Sequence, residues 1–202
     1  MSFFENTKKP EGTGGKIMLI AMNLGHSALA NWGISFLDGF SGTKILDCGC
    51  GGGANIKKLL KKYPKAKVDG VDHSVISVRK ALLHNLDDVM GGRCEGYKAS
   101  IDSLPLEDSS FDLVTAFETV YFWQDLHKSF CEIHRVLKSG GTFLICNECN
   151  GENKKGDKWT KIIDGMTIYK DVELKTAIEH AGFYDICIHK NKKGWLCVTA
   201  RK

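Results

Sequence analysis

The densest set of chemistry-bearing residues is Asp47-Cys48-Gly49-Cys50-Gly51-Gly52-Gly53, one acid and two thiols among four glycines. Glycines at this density let a backbone approach a bound molecule and adopt turns that side chains resist. Before them runs a short apolar stretch, Thr43 to Cys48, which reads as a buried strand. After them Ile56, Leu59, Leu60 and Tyr63 fall at i, i+3, i+4 and i+7 ahead of Pro64, one face of a helix. Open α/β sheets bind ligands at such strand-to-helix turns, outside the carboxyl ends of their strands. A second acid, Asp72, closes the next apolar run in Val-Asp-Gly-Val-Asp-His. A carboxylate placed there can accept hydrogen bonds from both hydroxyls of a ribose, so the two features together point to a nucleoside-containing cofactor.

Gly49-x-Gly51-x-x-Ala54 also satisfies the loose dinucleotide fingerprint, which is weak alone. Asp47 discriminates. A dinucleotide brings a pyrophosphate to this turn, where amides and the helix dipole favour an anion and a carboxylate opposes it. S-adenosylmethionine brings an ammonium and a sulfonium, towards which Asp47 contributes favourable potential. The charge logic favours the sulfonium cofactor.

Phe117-Glu-Thr-Val-Tyr-Phe-Trp123 follows another apolar run and is crowded with rings. Tyr121 or Trp123 could wall an acceptor site and face a sulfonium, or pack a loop against a helix. Glu118 could touch cofactor, act as a base or cap the next helix. Cys146-x-x-Cys149 lacks the second pair that a zinc site requires, so no metal site is expected. Cys48 and Cys50 could join that pair around a soft acceptor such as arsenite; small thiols buried in tight strands are the plainer reading. The lysines from Lys57 to Lys67 read as a solvated helix face rather than a nucleic-acid surface.

These residues need a frame. Lys67 to Val71 reads as a second strand, and Val75, Val78, Leu82, Leu86 and Val89 as one helix ended by Gly91-Gly92. Cys94 to Lys98 and Phe111 to Phe117 follow as strands. Leu126, Phe130, Ile133 and Leu137 mark a helix capped by Gly140-Gly141, with Thr142 to Cys146 the next strand. Val172 to Ala181 reads as a helix, and Tyr184 to His189 with Trp195 to Ala200 as a hairpin around Asn-Lys-Lys-Gly. Ile17 to Phe40 carries the pattern of two helices, and residues 1 to 12 that of a tail. The alternation predicts an α/β domain: a seven-stranded, mostly parallel sheet with helices on both faces and an antiparallel edge strand.

Four stretches stand in order between Lys44 and Cys146: Lys-Ile-Leu-Asp-Cys-Gly-Cys-Gly-Gly-Gly, Gly-Val-Asp-His-Ser at 70 to 74, Ser-Leu-Pro-Leu-Glu-Asp-Ser-Ser-Phe-Asp at 103 to 112, and Glu-Ile-His-Arg-Val-Leu-Lys-Ser-Gly-Gly at 132 to 141. Together they resemble the class I S-adenosylmethionine-dependent methyltransferases, in particular the methyltransferase-11-type domains that include ubiquinone and menaquinone biosynthesis enzymes. The resemblance implies a Rossmann-like core over 43 to 202, with residues 13 to 40 as lid helices in a single domain. It implies Asp47, Gly49, Gly51 and Gly53 around the methionine part, Asp72 at the ribose, and His73 beside the adenine. Ser100 and Ile101 would lie at the adenine edge, where many relatives have Asp in place of Ser100. Phe117 and Glu118 would cover the methyl-donor end. Lid helices over the donor pocket would bring His26 towards the acceptor, which leaves Tyr121, Glu118 and His26 as candidate catalytic residues. The segment from Asn147 to Lys170 is expected to complete the lid.

The expected function is methyl transfer from S-adenosylmethionine to a small-molecule acceptor. A nicotinamide-dependent oxidoreductase and a non-catalytic S-adenosylmethionine-binding protein are the alternatives. The 202 residues suffice for one domain, and a formal charge of +4 is too slight to imply nucleic acid. No apolar run approaches the roughly 20 residues of a membrane span. Eight cysteines without an export signal suggest mostly buried thiols in a cytoplasmic protein, monomer or homodimer.

Overall fold

The computed structural model describes residues 27–152 and 156–202. Strands β1 (Lys44–Cys48), β2 (Lys67–Asp72), β3 (Gly96–Lys98), β4 (Phe111–Phe117), β5 (Leu137–Asn147), β6 (Tyr184–Lys190) and β7 (Leu196–Arg201) form one sheet in the order β3-β2-β1-β4-β5-β7-β6. The first five pair in parallel, and β7 runs antiparallel to both β5 and β6. The expected antiparallel strand sits one place in from the edge, with β6 outside it. Burial explains the order: Leu196, Cys197, Val198 and Ala200 are all buried, whereas β6 exposes Tyr184, Asp185 and Cys187.

Helices α1 (Ser27–Ser35), α2 (Ala54–Lys62), α3 (Val75–His84), α4 (Leu86–Met90), α5 (Leu126–Val136), α6 (Asp157–Ile162) and α7 (Asp171–His180) surround it. Phe130 and Ile133 of α5 with Leu174 and Ile178 of α7 bury one face of the sheet. Leu29 and Ile34 of α1, Ile56, Leu59 and Leu60 of α2 and Ala81 of α3 bury the other. Each large aliphatic side chain withdrawn in this way contributes roughly 1.5–3 kcal/mol. The α2 stripe thus faces the sheet as its spacing predicts. Its lysines are less idle than a solvated face: Lys58 Nζ donates to Ser27 Oγ (2.8 Å) and Asn31 Oδ1 (2.9 Å), and Lys62 Nζ to the Ile34 carbonyl (3.0 Å), clamping α1.

Two expectations are corrected. The single helix over Val75 to Val89 is two, broken at Asn85, whose fully buried side chain donates to the Ala81 carbonyl (2.8 Å) and to the Gly53 carbonyl (3.1 Å). Nor does Gly140-Gly141 cap α5. That helix ends at Val136, Leu137 already pairs with Phe111, and the glycines form a bend inside β5 with Gly140 at φ +72°. Residues 1–26, which carry the expected tail, much of the expected lid and His26, lie outside the described residues. No described helix is long and apolar enough to cross a membrane.

Candidate active site

At the carboxyl edge of β1 the backbone turns through Gly49 (φ +74°), Gly51 (φ +51°) and Gly53 (φ +80°) into α2. Two of these glycines are also required by contact. A Cβ on Gly49 would stand 2.1 Å from Thr119 Oγ1, and one on Gly53 2.7 Å from the Ala81 Cα. The loop's amides point inward: Gly49 and Cys50 donate to the Val71 carbonyl, Gly51 to Asp72 Oδ2 and Gly53 to the Cys50 carbonyl. A loop so committed does not offer these amides to an incoming anion.

Asp47 lies beneath this loop, only 1% exposed, and its Oδ1 accepts the Thr115 hydroxyl at 2.7 Å. Its Oδ2 is buried without a hydrogen-bond partner. Burial pushes this carboxyl up to about 7, against the Thr115 hydrogen bond and with help from the Asp72 charge. Asp72, at the end of β2, accepts the Gly51 amide (3.0 Å) on Oδ2 and the Ser74 amide (2.8 Å) on Oδ1. Burial raises its pKa too, opposed by those amides and by His73, whose ring nitrogen is 3.6 Å from Oδ1.

A cavity of about 310 Å³ opens beside the loop. Gly49, Gly51, Asp72, His73 and Ser77 line one side; Ala99, Ser100, Ile101 and Asp102 another; Phe117, Glu118, Thr119, Phe122 and Trp123 a third, with Gln124, Asp125 and Ser129. The third wall exists because β4 ends in a sharp turn. Glu118 takes φ +59°, a conformation uncommon outside glycine, held by its amide on the Cys146 carbonyl (3.0 Å). Its carboxylate accepts the Tyr121 hydroxyl (3.2 Å) and the Glu148 amide. Burial pushes it up to about 8, the Glu148 amide lowering it, the Glu148 charge raising it and the Tyr121 hydroxyl lowering it. Trp123 Nε1 donates to Thr119 Oγ1 (3.2 Å), and its ring packs edge-on against Phe130 at 5.9 Å.

Of the residues expected at the site, Gly49, Gly51, Asp72, His73, Ser100, Ile101, Phe117 and Glu118 line this one cavity. Asp47 and Gly53 support the loop from below and behind. Tyr121 is not in the wall. It is 2% exposed, and its hydroxyl accepts the Cys149 amide (2.8 Å), latching the segment after β5 to the turn after β4. His26 lies outside the described residues. Cys146 stands opposite Cys197 in the sheet. The sequence did not mark Ser77, Asp102, Thr119, Gln124, Asp125 or Ser129, single polar residues without a motif, nor single out Phe122 from the rings around it. Ser77 could have been found, since it follows Ser74, whose hydroxyl caps α3 by accepting the Ser77 amide.

A mainly parallel sheet with its cavity at the carboxyl ends of β1, β2 and β4, an acid at the end of β2 and a glycine turn after β1 define an α/β domain built for a nucleoside-containing ligand. Residues 46–145 match the profile of the methyltransferase domain family. Through those residues the chain belongs to that family, the class I S-adenosylmethionine-dependent methyltransferases. The chain is 30% identical over 127 residues to 24-methylenesterol C-methyltransferase 2 of Arabidopsis thaliana, covering 62% of this chain and 35% of that protein. It is 27% identical over 173 residues to phosphoethanolamine N-methyltransferase of Triticum aestivum, covering 84% and 33%. The chain therefore spans about a third of the length of these curated relatives. Geranyl diphosphate C-methyltransferase from Streptomyces coelicolor A3(2), solved with Mg2+, geranyl diphosphate and S-adenosyl-L-homocysteine, shares the fold with TM-score 0.74 at 16% identity, covering 87% of this chain and 77% of that one.

Proposed function

We propose that the protein transfers a methyl group from S-adenosylmethionine to a small-molecule acceptor. The observation that carries this reading is the charge of the glycine turn. The amides of Gly49, Cys50, Gly51 and Gly53 are committed within the protein, and the two acids beside the turn, Asp47 and Asp72, leave it suited to a cation and unsuited to a pyrophosphate. The unpaired Oδ2 of Asp47 fits the same conclusion, because a buried carboxylate oxygen without a donor is stabilised by nearby positive charge.

In this reading Gly49 and Gly51 border the methionine part and Asp47 supplies potential from below. Asp72 holds the ribose, with His73, Ser100 and Ile101 around the adenine. Phe117, Glu118 and Trp123 close the methyl-donor end and exclude water. When bound, S-adenosylmethionine supplies an activated methyl group whose sulfur leaves neutral, so alignment and desolvation provide much of the acceleration. The acceptor's placement falls to Glu118, Phe122 and Trp123.

Calorimetry with S-adenosylhomocysteine and with NAD tests the reading. Tighter binding of S-adenosylhomocysteine is expected. Preference for NAD would return the protein to the oxidoreductases, and binding without transfer to any acceptor would make it a cofactor-binding protein.

A further inference from the structure

The charges around the cavity bear on what shares it with the donor. Asp72, Asp102, Glu118 and Asp125 line it, and among the described lining residues there is no lysine or arginine. An acceptor carrying a carboxylate or phosphate would meet these acids, offset only by His73, 3.6 Å from Asp72 Oδ1, and by Lys128, 3.6 Å from Asp102 Oδ2. Phe122 and Trp123 line the same cavity as Glu118, and aromatic rings together with a carboxylate are a lining that attracts an organic cation.

A second observation lies at the same sheet edge. β4 and β5 are paired up to Phe117 and Cys146, so Glu118 and Asn147 are the next positions on neighbouring strands. Asn147 is fully buried, and neither its side-chain oxygen nor its nitrogen has a partner. A buried amide left so is held at a cost in free energy.

Resting on the proposed methyl transfer, we propose that the acceptor is a small primary or secondary amine, received as its ammonium form by Glu118 and the rings of Phe122 and Trp123. The ammonium gives one proton to the Glu118 carboxylate, a loss favoured by the neighbouring sulfonium charge. The freed nitrogen lone pair then forms the bond to the methyl carbon as the carbon–sulfur bond breaks and its electron pair stays on sulfur. Glu118 afterwards returns its proton to solvent.

The test uses the full chain, a panel of small aliphatic and aromatic amines, and the matched alcohol, carboxylate and phosphate ester of each. Labelled S-adenosylmethionine reports transfer, and calorimetry on the S-adenosylhomocysteine complex reports acceptor binding. Transfer is expected to amines alone. Glu118→Gln should lower kcat by about 100-fold or more and weaken amine binding about tenfold, while S-adenosylhomocysteine affinity holds. Glu118→Asp should recover part of the rate and guards against loss of the fold. The parent rate should rise with pH as Glu118 loses its proton, in the neighbourhood of Tyr121, Cys146 and Glu148, which face it. Transfer confined to alcohols, carboxylates or phosphate esters, no transfer to any amine, or full amine turnover by Glu118→Gln would overturn the proposal. Failure to bind S-adenosylhomocysteine would instead defeat the reading beneath it, and this one with it.

Discussion

Asp72 Oδ2 accepts the amide hydrogen of Gly51 at 3.0 Å, joining the end of β2 to the glycine turn. The group placed to hold a ribose therefore also holds the loop on which the rest of the ligand lies. Asp72→Asn keeps the outline, removes the charge and leaves one of the Gly51 and Ser74 amides without its acceptor; it should weaken S-adenosylhomocysteine binding by about 1–3 kcal/mol. Asp72→Ala should lower the melting temperature further, since both amides lose their acceptor. Unchanged affinity in the Asn variant, measured by calorimetry, would remove Asp72 from the ribose.

Gly49→Ala places a methyl group 2.1 Å from Thr119 Oγ1 at φ +74°, and Gly53→Ala places one against the α3 backbone at φ +80°. Both should destabilise by about 1–3 kcal/mol in urea denaturation. Gly49→Ala should also abolish cofactor binding, because the displaced Thr119 belongs to the cavity wall. A Gly49→Ala variant that binds normally would show that the turn can open without harm.

Asp47 ties stability to pH. Its folded pKa of about 7 lies above the ordinary 3.8, so between these values the folded protein keeps a proton that the unfolded chain has lost. Its contribution therefore falls as pH rises from 3.8 to about 7, and stays lost above that. Asp47→Asn should raise stability at about pH 8 by on the order of 2–4 kcal/mol, leave it nearly unchanged at about pH 4, and weaken cofactor binding. Since a cation favours the ionised carboxyl, binding near pH 6 should release up to about one proton, seen as a buffer-dependent binding enthalpy. Stability of Asp47→Asn at or below the parent's at pH 8 would contradict this account.

Tyr121→Phe should act on stability before chemistry. It strands the Cys149 amide and removes a donor from Glu118, a cost of about 1–3 kcal/mol in denaturant unfolding. S-adenosylhomocysteine affinity should change less than threefold. A variant as stable as the parent but unable to bind would return Tyr121 to the wall of the site.

The frame is readable in the sequence where apolar spacing alone decides it. Phe111 to Phe117, apolar except at Asp112 and Thr115, is a strand with its bounds intact, and the α2 stripe faces the core. The reading fails where one polar side chain overrides the period. Asn85 breaks a helix that Leu82, Leu86 and Val89 would continue, because its amide is spent on the Gly53 carbonyl behind the turn. The loop and Asp72 announce themselves by residue type at strand ends. Thr115 does not, since its link to Asp47 exists only once β1 and β4 lie side by side. Tyr121 is conspicuous by type, yet its direction depends on where the segment after β5 passes.

The place of β7 between β5 and β6 matters during synthesis. A ribosome delivers β5 well before β7, the strand that occupies its open edge. At ~5–20 residues per second, the stretch from Asn147 to Leu196 takes roughly 3–10 s to appear. Throughout that interval Phe143 and Ile145 sit beside a row of unpaired backbone groups, a template for any foreign strand nearby. The nascent chain is therefore most exposed to aggregation, and most in need of a chaperone, after its glycine turn and both acids have already been made.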